Sequence, residues 1–124
     1  MVARILIVDD SPLFREGLRA SLKSNPDWEI CGEAGDGFAA ITQTRSLTPH
    51  LIVMDLSMPY MGGIEAASEI LKEFPRLPIL LLTLYMSNQL AEVARNVGIR
   101  ATLSKKAMRE LPDAIHAVLH GATF

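Results

Sequence analysis

Five side chains in this sequence are of types that could do chemistry together. They are the adjacent aspartates Asp9 and Asp10, then Asp55, Thr83 and Lys105. Each lies at or just past the end of a short apolar run: residues 5–8, 51–54, 79–82 and 101–103. Ser104 and Lys106 flank Lys105. Singly, an aspartate in such a place is more often a turn or cap residue, and a lysine a solvated charge. Jointly they describe a site. Three carboxylates repel one another and call for a compensating cation. Mg²⁺ takes oxygen ligands, typically one or two carboxylates with waters and a phosphate. Asp9 and Asp10 are neighbours on the chain and cannot point the same way, so one would ligate directly and the other through water. A carboxylate is also a nucleophile toward phosphorus, giving an aspartyl phosphate. The cation and Lys105 would then stabilise charge on the transferring group, with Thr83 donating a hydrogen bond to it.

Positioning such groups requires strands that end at one edge, and the hydrophobic pattern supplies them. Residues 3–8 read as a buried strand, and Ser11-Pro12 as N-cap and first helical position. Phe14, Gly17, Leu18, Ser21 and Leu22 share one helical face. Residues 28–33 read as a second strand, with Trp28, Ile30 and Gly32 on one face and Glu29, Cys31 and Glu33 on the other. A helix follows over about 38–45, ended by Thr48-Pro49. Residues 51–54 are apolar throughout, so both faces of that strand should be covered. Ile64, Ala67, Ile70, Leu71 and Phe74 have helical spacing, and Gly62-Gly63 is expected to give the preceding loop backbone freedom. Residues 79–82 form the fourth strand. Leu90, Val93, Ala94 and Val97 form a fourth helix stopped by Gly98. A short strand at 101–103 and a helix carrying Leu111, Ala114, Ile115, Val118 and Leu119 complete the chain. Five strands alternating with five helices imply an open parallel α/β sheet covered on both faces. Ligands of such sheets bind beyond the carboxyl ends of the strands.

The chain has 124 residues, enough for one domain with its own core. Twelve Lys/Arg against 14 Asp/Glu give a net charge of -2. There is no basic run to neutralise phosphates, so this segment alone is not expected to bind DNA. The single cysteine, Cys31, fits a reducing, cytoplasmic setting. No apolar run reaches membrane-spanning length, and the N-terminus does not read as a signal peptide.

The stretches Ile5-Leu6-Ile7-Val8-Asp9-Asp10, Met54-Asp55-Leu56-Ser57-Met58-Pro59 with Gly63, Leu82-Thr83 and Leu103-Ser104-Lys105 resemble the receiver domain of bacterial two-component response regulators. The segment from Asp10 to Leu18 resembles the subfamily with a C-terminal helix-turn-helix DNA-binding domain, LuxR/NarL-like. The resemblance implies a flavodoxin-like (βα)5 three-layer sandwich with strand order 2-1-3-4-5. It implies that Asp55 is phosphorylated by a sensor histidine kinase, and that Thr83 and Lys105 contact the phosphoryl group. Asp10, Asp55 and the backbone carbonyl of Ser57 would ligate Mg²⁺ (Mn²⁺ or Ca²⁺ as substitutes), with Asp9 acting mostly through water. Phosphorylation would shift the surface around helix four, strand five and helix five, and homodimerisation would accompany it in some members. Residues 1–120 are then the receiver, and 121–124 the start of a linker to an effector domain outside this chain. The chain would not be an enzyme beyond its own Mg²⁺-dependent phosphorylation and dephosphorylation on Asp55.

The sequence departs from the family pattern in three places. Thr102 stands where receivers commonly carry a switch aromatic, so switching either works without it or uses Tyr85. Lys106 stands where a proline usually follows the lysine. A cis bond between non-prolines costs roughly 2.5–4 kcal/mol, so a trans peptide is expected. Lys106 reads as a surface lysine, with a second phosphate contact as the alternative. Leu84 is larger than the usual residue and would narrow the path to Asp55. The side chain of Ser57 would bear on the attacking water. His50, His116 and His120 read as surface histidines, Met54, Met58, Met61 and Met86 as packing, and Trp28 as a residue on the sheet edge. Two rivals remain. An aspartate-nucleophile phosphatase would need an Asp-x-Asp spacing that Asp9-Asp10 lacks. A stand-alone receiver would act by protein–protein binding.

Overall fold

The computed structural model describes residues 2–124. Its elements are β1 (Ala3–Val8), α1 (Pro12–Lys23), β2 (Trp28–Ala34), α2 (Gly37–Leu47), β3 (Leu51–Asp55), α3 (Gly63–Glu73), β4 (Ile79–Thr83), α4 (Asn88–Val97), β5 (Ala101–Ser104), a 3₁₀ segment (Lys105–Glu110) and α5 (Leu111–Leu119). The five strands form one parallel sheet in the order β2-β1-β3-β4-β5, the flavodoxin-like arrangement that the resemblance implies. β1, β3 and β4 are interior strands, which is why their sequences are apolar without alternation.

The period of two along each strand divides the core. Ile5, Ile7, Leu51, Val53, Leu80 and Leu82 face one layer with Leu18 and Leu22 of α1 and Leu111, Ile115 and Val118 of α5. Leu6, Val8, Ile52, Met54, Ile79 and Leu81 face the other, with Ala40 of α2, Ala66, Ala67 and Ile70 of α3, and Ala94 of α4. The helix starts follow their capping residues. Ser11, Asp36 and Ser87 each accept a hydrogen bond from the backbone N–H three residues on. Gly98 ends α4 in the left-handed region, φ 108°, as its position predicts.

Four expectations need correction. β2 has a bulge: Ile5 pairs with Ile30, but Leu6 pairs with Gly32, so Cys31 is the extra residue. The phase flips there. Gly32 faces α2, where a Cβ would lie 2.5 Å from the Leu47 side chain. Glu33 is thereby returned to the α1 side, where it pairs with Arg15 and Arg19. On α1 only Leu18 and Leu22 are buried, while Gly17 and Ser21 are exposed, so the apolar face is narrower than its spacing implied. Val93 of α4 and Met86 are also exposed rather than packed. Finally, neither Gly62 nor Gly63 takes a positive φ; Tyr60 does, at 68°. Gly63 is needed for close approach instead, since a Cβ there would collide with the Asp55 carbonyl oxygen.

Candidate functional site

Two strand ends bring the three acids together. Asp9 and Asp10 leave β1, and Asp55 is the last residue of β3, the strand hydrogen-bonded beside it. One carboxylate oxygen from each of the three lies within 4.8 Å of the others. Asp9 and Asp55 are buried, and Asp10 is exposed. The pair therefore splits as adjacency requires, one side chain inward and one outward.

Lys105 enters from the end of β5. Its Nζ donates to Asp9 Oδ2 at 2.8 Å and lies 3.2 Å from Asp55 Oδ1, with the side chain 12% exposed. One ammonium faces three carboxylates, so the site has negative charge to spare. Asp55 registers this. Burial pushes its carboxyl above the ordinary aspartate value, the charge of Asp9 adds to the rise, and Lys105 and the Ser57 backbone N–H offset only part of it. For Lys105, burial pulls the ammonium down. Its hydrogen bond to Asp9 and the charges of Asp55 and Asp9 outweigh burial and hold it above the ordinary lysine value. A hard divalent cation fits this donor set: oxygen atoms only, gathered around an uncompensated charge and open to solvent through Asp10.

Thr83 ends β4, is buried, and pairs in register with Ser104. Its Oγ1 accepts from the Tyr85 backbone N–H at 3.1 Å, which leaves the hydroxyl proton free to be donated. Ser57 is exposed on the loop after Asp55. Leu84 and Tyr85 stand on the open rim, 52% and 82% exposed. Lys106 is exposed, with its backbone N–H bonded to Ser104 Oγ, and its side chain enters no ion pair among the described residues. That matches the surface-lysine reading. The Lys105–Lys106 peptide is trans, as expected. His50, His116 and His120 are all exposed, as expected, and His50 Nδ1 accepts from the Arg4 backbone N–H at 2.9 Å.

Two contributors escape the sequence reading. Arg15 donates through its guanidinium to the Asp9 carbonyl at 2.5 Å and to Glu33 at 3.0 Å, tying α1 to the ends of β1 and β2. Phe14 places its ring centroid 4.0 Å from Lys105 Nζ. Both follow the Ser11 cap closely. A residue in the first turn of a helix that starts just past a strand end lies beside the site, and that was the available signal.

Comparison with known proteins places the chain. A family model, the response regulator receiver domain, matches residues 5–116. The chain belongs to the response regulator receiver family. A Bacillus subtilis transcriptional regulatory protein, YxjL, is 36% identical over 119 residues, 95% of this chain and 55% of that protein. The chain thus spans little more than half the length of such relatives. Among solved structures, a LuxR-family two-component response regulator from Aurantimonas superposes with a TM-score of 0.96 at 35% identity, over 99% of this chain and 89% of that one. The receiver domain of RcsB from Salmonella enterica, solved with a phosphomimetic, gives 0.91 at 30% identity, over 100% and 93%. RcsB has also been solved as dimers bound to DNA. The likeness to receivers of LuxR-type regulators therefore holds across nearly the whole chain.

Proposed function

We propose that this receiver accepts a phosphoryl group on Asp55 from a sensor histidine kinase and thereby switches a DNA-binding transcription regulator of which it is one part. The observation that carries the reading is the Lys105 ammonium held between Asp9 and Asp55 beside a third carboxylate. Asp10, Asp55 and the Ser57 carbonyl would hold Mg²⁺, with Asp9 through water. The ion would supply charge neutralisation for the phosphoryl oxygens.

The chain's own groups do the rest. An Asp55 carboxylate oxygen forms a bond to phosphorus as the bond from phosphorus to the donor breaks, and the electron pair leaves with the donor. Lys105 and the Thr83 hydroxyl present positive charge and a hydrogen bond to the oxygens that gain charge. Water attacking the same phosphorus later restores the carboxylate and releases phosphate. Adjacent Asp9-Asp10 lacks the Asp-x-Asp spacing that an aspartate-nucleophile phosphatase would need, so turnover on external substrates is not expected. This fits a signalling protein rather than a phosphatase.

The relatives support the transcriptional part of the reading, since they include a transcriptional regulatory protein, a LuxR-family regulator and RcsB, solved as DNA-bound dimers. Residues 121–124 would open the linker to the effector domain, and the setting would be cytoplasmic. Among the described residues no helix is long and apolar enough to cross a membrane. Incubation with acetyl phosphate and Mg²⁺, followed by mass spectrometry, tests the core of the proposal. The expected result is the gain of one phosphoryl group, lost in Asp55→Asn. No gain, or an unchanged gain in that variant, overturns it.

A further inference from the structure

Among the described residues, Lys105 is the cation paired with both Asp9 and Asp55, so whatever fixes its ammonium fixes the charge balance of the site. Besides the two carboxylates, its Nζ lies over the ring of Phe14, 4.0 Å from the centroid. An aromatic face attracts a cation through its quadrupole, more strongly where water is excluded, and only 12% of the Lys105 side chain is exposed.

The ring is delivered there by the site itself. Asp9 Oδ1 accepts from the Ser11 N–H at 2.9 Å, and Ser11 Oγ accepts from the Phe14 N–H at 3.1 Å. Pro12 presets the first helical position. The other oxygen of the same Asp9 carboxylate accepts from Lys105. The contacts close on themselves: Asp9 to Ser11, Ser11 to Phe14, Phe14 to Lys105, Lys105 to Asp9.

We infer that Phe14 is a positioning residue for phosphoryl transfer at Asp55, its ring holding the Lys105 ammonium against Asp9 and Asp55 where it meets the transferring group. The inference rests on Asp55 being the phosphoacceptor. It goes beyond packing, although Phe14 also touches the core shared by α1 and α5. A packing residue needs only apolar volume, and leucine would serve. A quadrupole partner needs an electron-rich ring. The ring borders an open groove of about 450 Å³ lined with Leu13, Gly17 and Met108, so rings of other sizes fit without overpacking.

The test is a ring series at position 14: phenylalanine, its mono-, di- and trifluorinated analogues, Phe14→Trp and Phe14→Leu. Fluorine weakens the negative face while nearly preserving shape. The phosphorylation rate with acetyl phosphate and Mg²⁺ should fall stepwise with fluorination, drop about tenfold in Phe14→Leu, and hold in Phe14→Trp. In a Lys105→Met background the fluorine series should be flat. A second readout needs neither phosphate nor metal. The Lys105 ε-methylene protons should show an upfield ring-current shift that disappears in Phe14→Leu. Equal rates across the series in a protein that is phosphorylated, or absence of the ring-current shift, overturns the inference alone. A wild type that takes up no phosphate removes the phosphoacceptor reading as well.

Discussion

Asp55 is buried at the end of β3 beside Asp9, and its ionisation opposes folding when no cation is bound. The sign follows from linkage. Its folded pKa is raised, so the stabilisation tied to its proton is complete below the unfolded value and lost as pH rises through the folded one. Neutral asparagine escapes that loss. In metal-free buffer at pH 7, Asp55→Asn should be more stable than the wild type. Its advantage should shrink as the pH is lowered through the raised Asp55 value, as read by urea unfolding at several pH values. A wild type more stable than the variant at pH 7 would contradict this charge balance. Lys105 is also raised, so its contribution is intact at neutrality and fades only in alkali. The residue types at these positions were legible in the sequence. Their balance was not, because it depends on which acid is buried: Asp9 turns inward and Asp10 outward.

Elements matter here through the loops that leave the sheet. The β3–α3 connection must bring Gly63 against the carbonyl of Asp55, where the Cβ of any other residue would collide with that oxygen. Backbone cannot yield as a flexible side chain can. Gly63→Ala should therefore cost about 2–3 kcal/mol in urea unfolding and slow phosphorylation by displacing Asp55. Gly17 is the contrasting case. It lies inside α1 with no atom within 4 Å of where a Cβ would stand, so Gly17→Ala should gain about 0.5–1 kcal/mol. The hydrophobic pattern locates both helices but misassigns these two glycines. It puts Gly17 on the core face and credits Gly63 with torsional freedom, when the one is exposed and the other is a point of close approach. α4 is the least committed helix, with only Ala94 buried and Val93 exposed. An element anchored so lightly shifts at low cost, which suits the surface expected to report phosphorylation. Thr102, partly buried on β5, supplies no ring for that report, and the Tyr85 ring lies outside with only its backbone N–H bound to Thr83.

At the scale of the whole molecule, a cation that binds only the folded site stabilises the entire domain by mass action. With Mg²⁺ at a hundredfold excess over its dissociation constant the gain is about 2.7 kcal/mol. Unfolding midpoints should rise with Mg²⁺, return with a chelator, and respond little in Asp10→Asn, which removes an acid without touching the Lys105 pairs. An equal Mg²⁺ response in that variant would take Asp10 out of the ligand set. The sequence by itself determined the alternation of five strands with five helices, the covered faces of β3, the Ser11 start of α1 and the Gly98 stop of α4, and the residues able to carry phosphate chemistry. These are local properties, written in apolar runs and in the residues next to them. Only the tertiary structure decided the bulge at Cys31 that turns Glu33 toward α1, the pairing of Lys105 with an aspartate 96 residues away, and the Phe14 ring beneath that lysine. Each depends on strand register and helix phase between segments distant in the chain, and a single extra residue in one strand is enough to reverse which side chains meet.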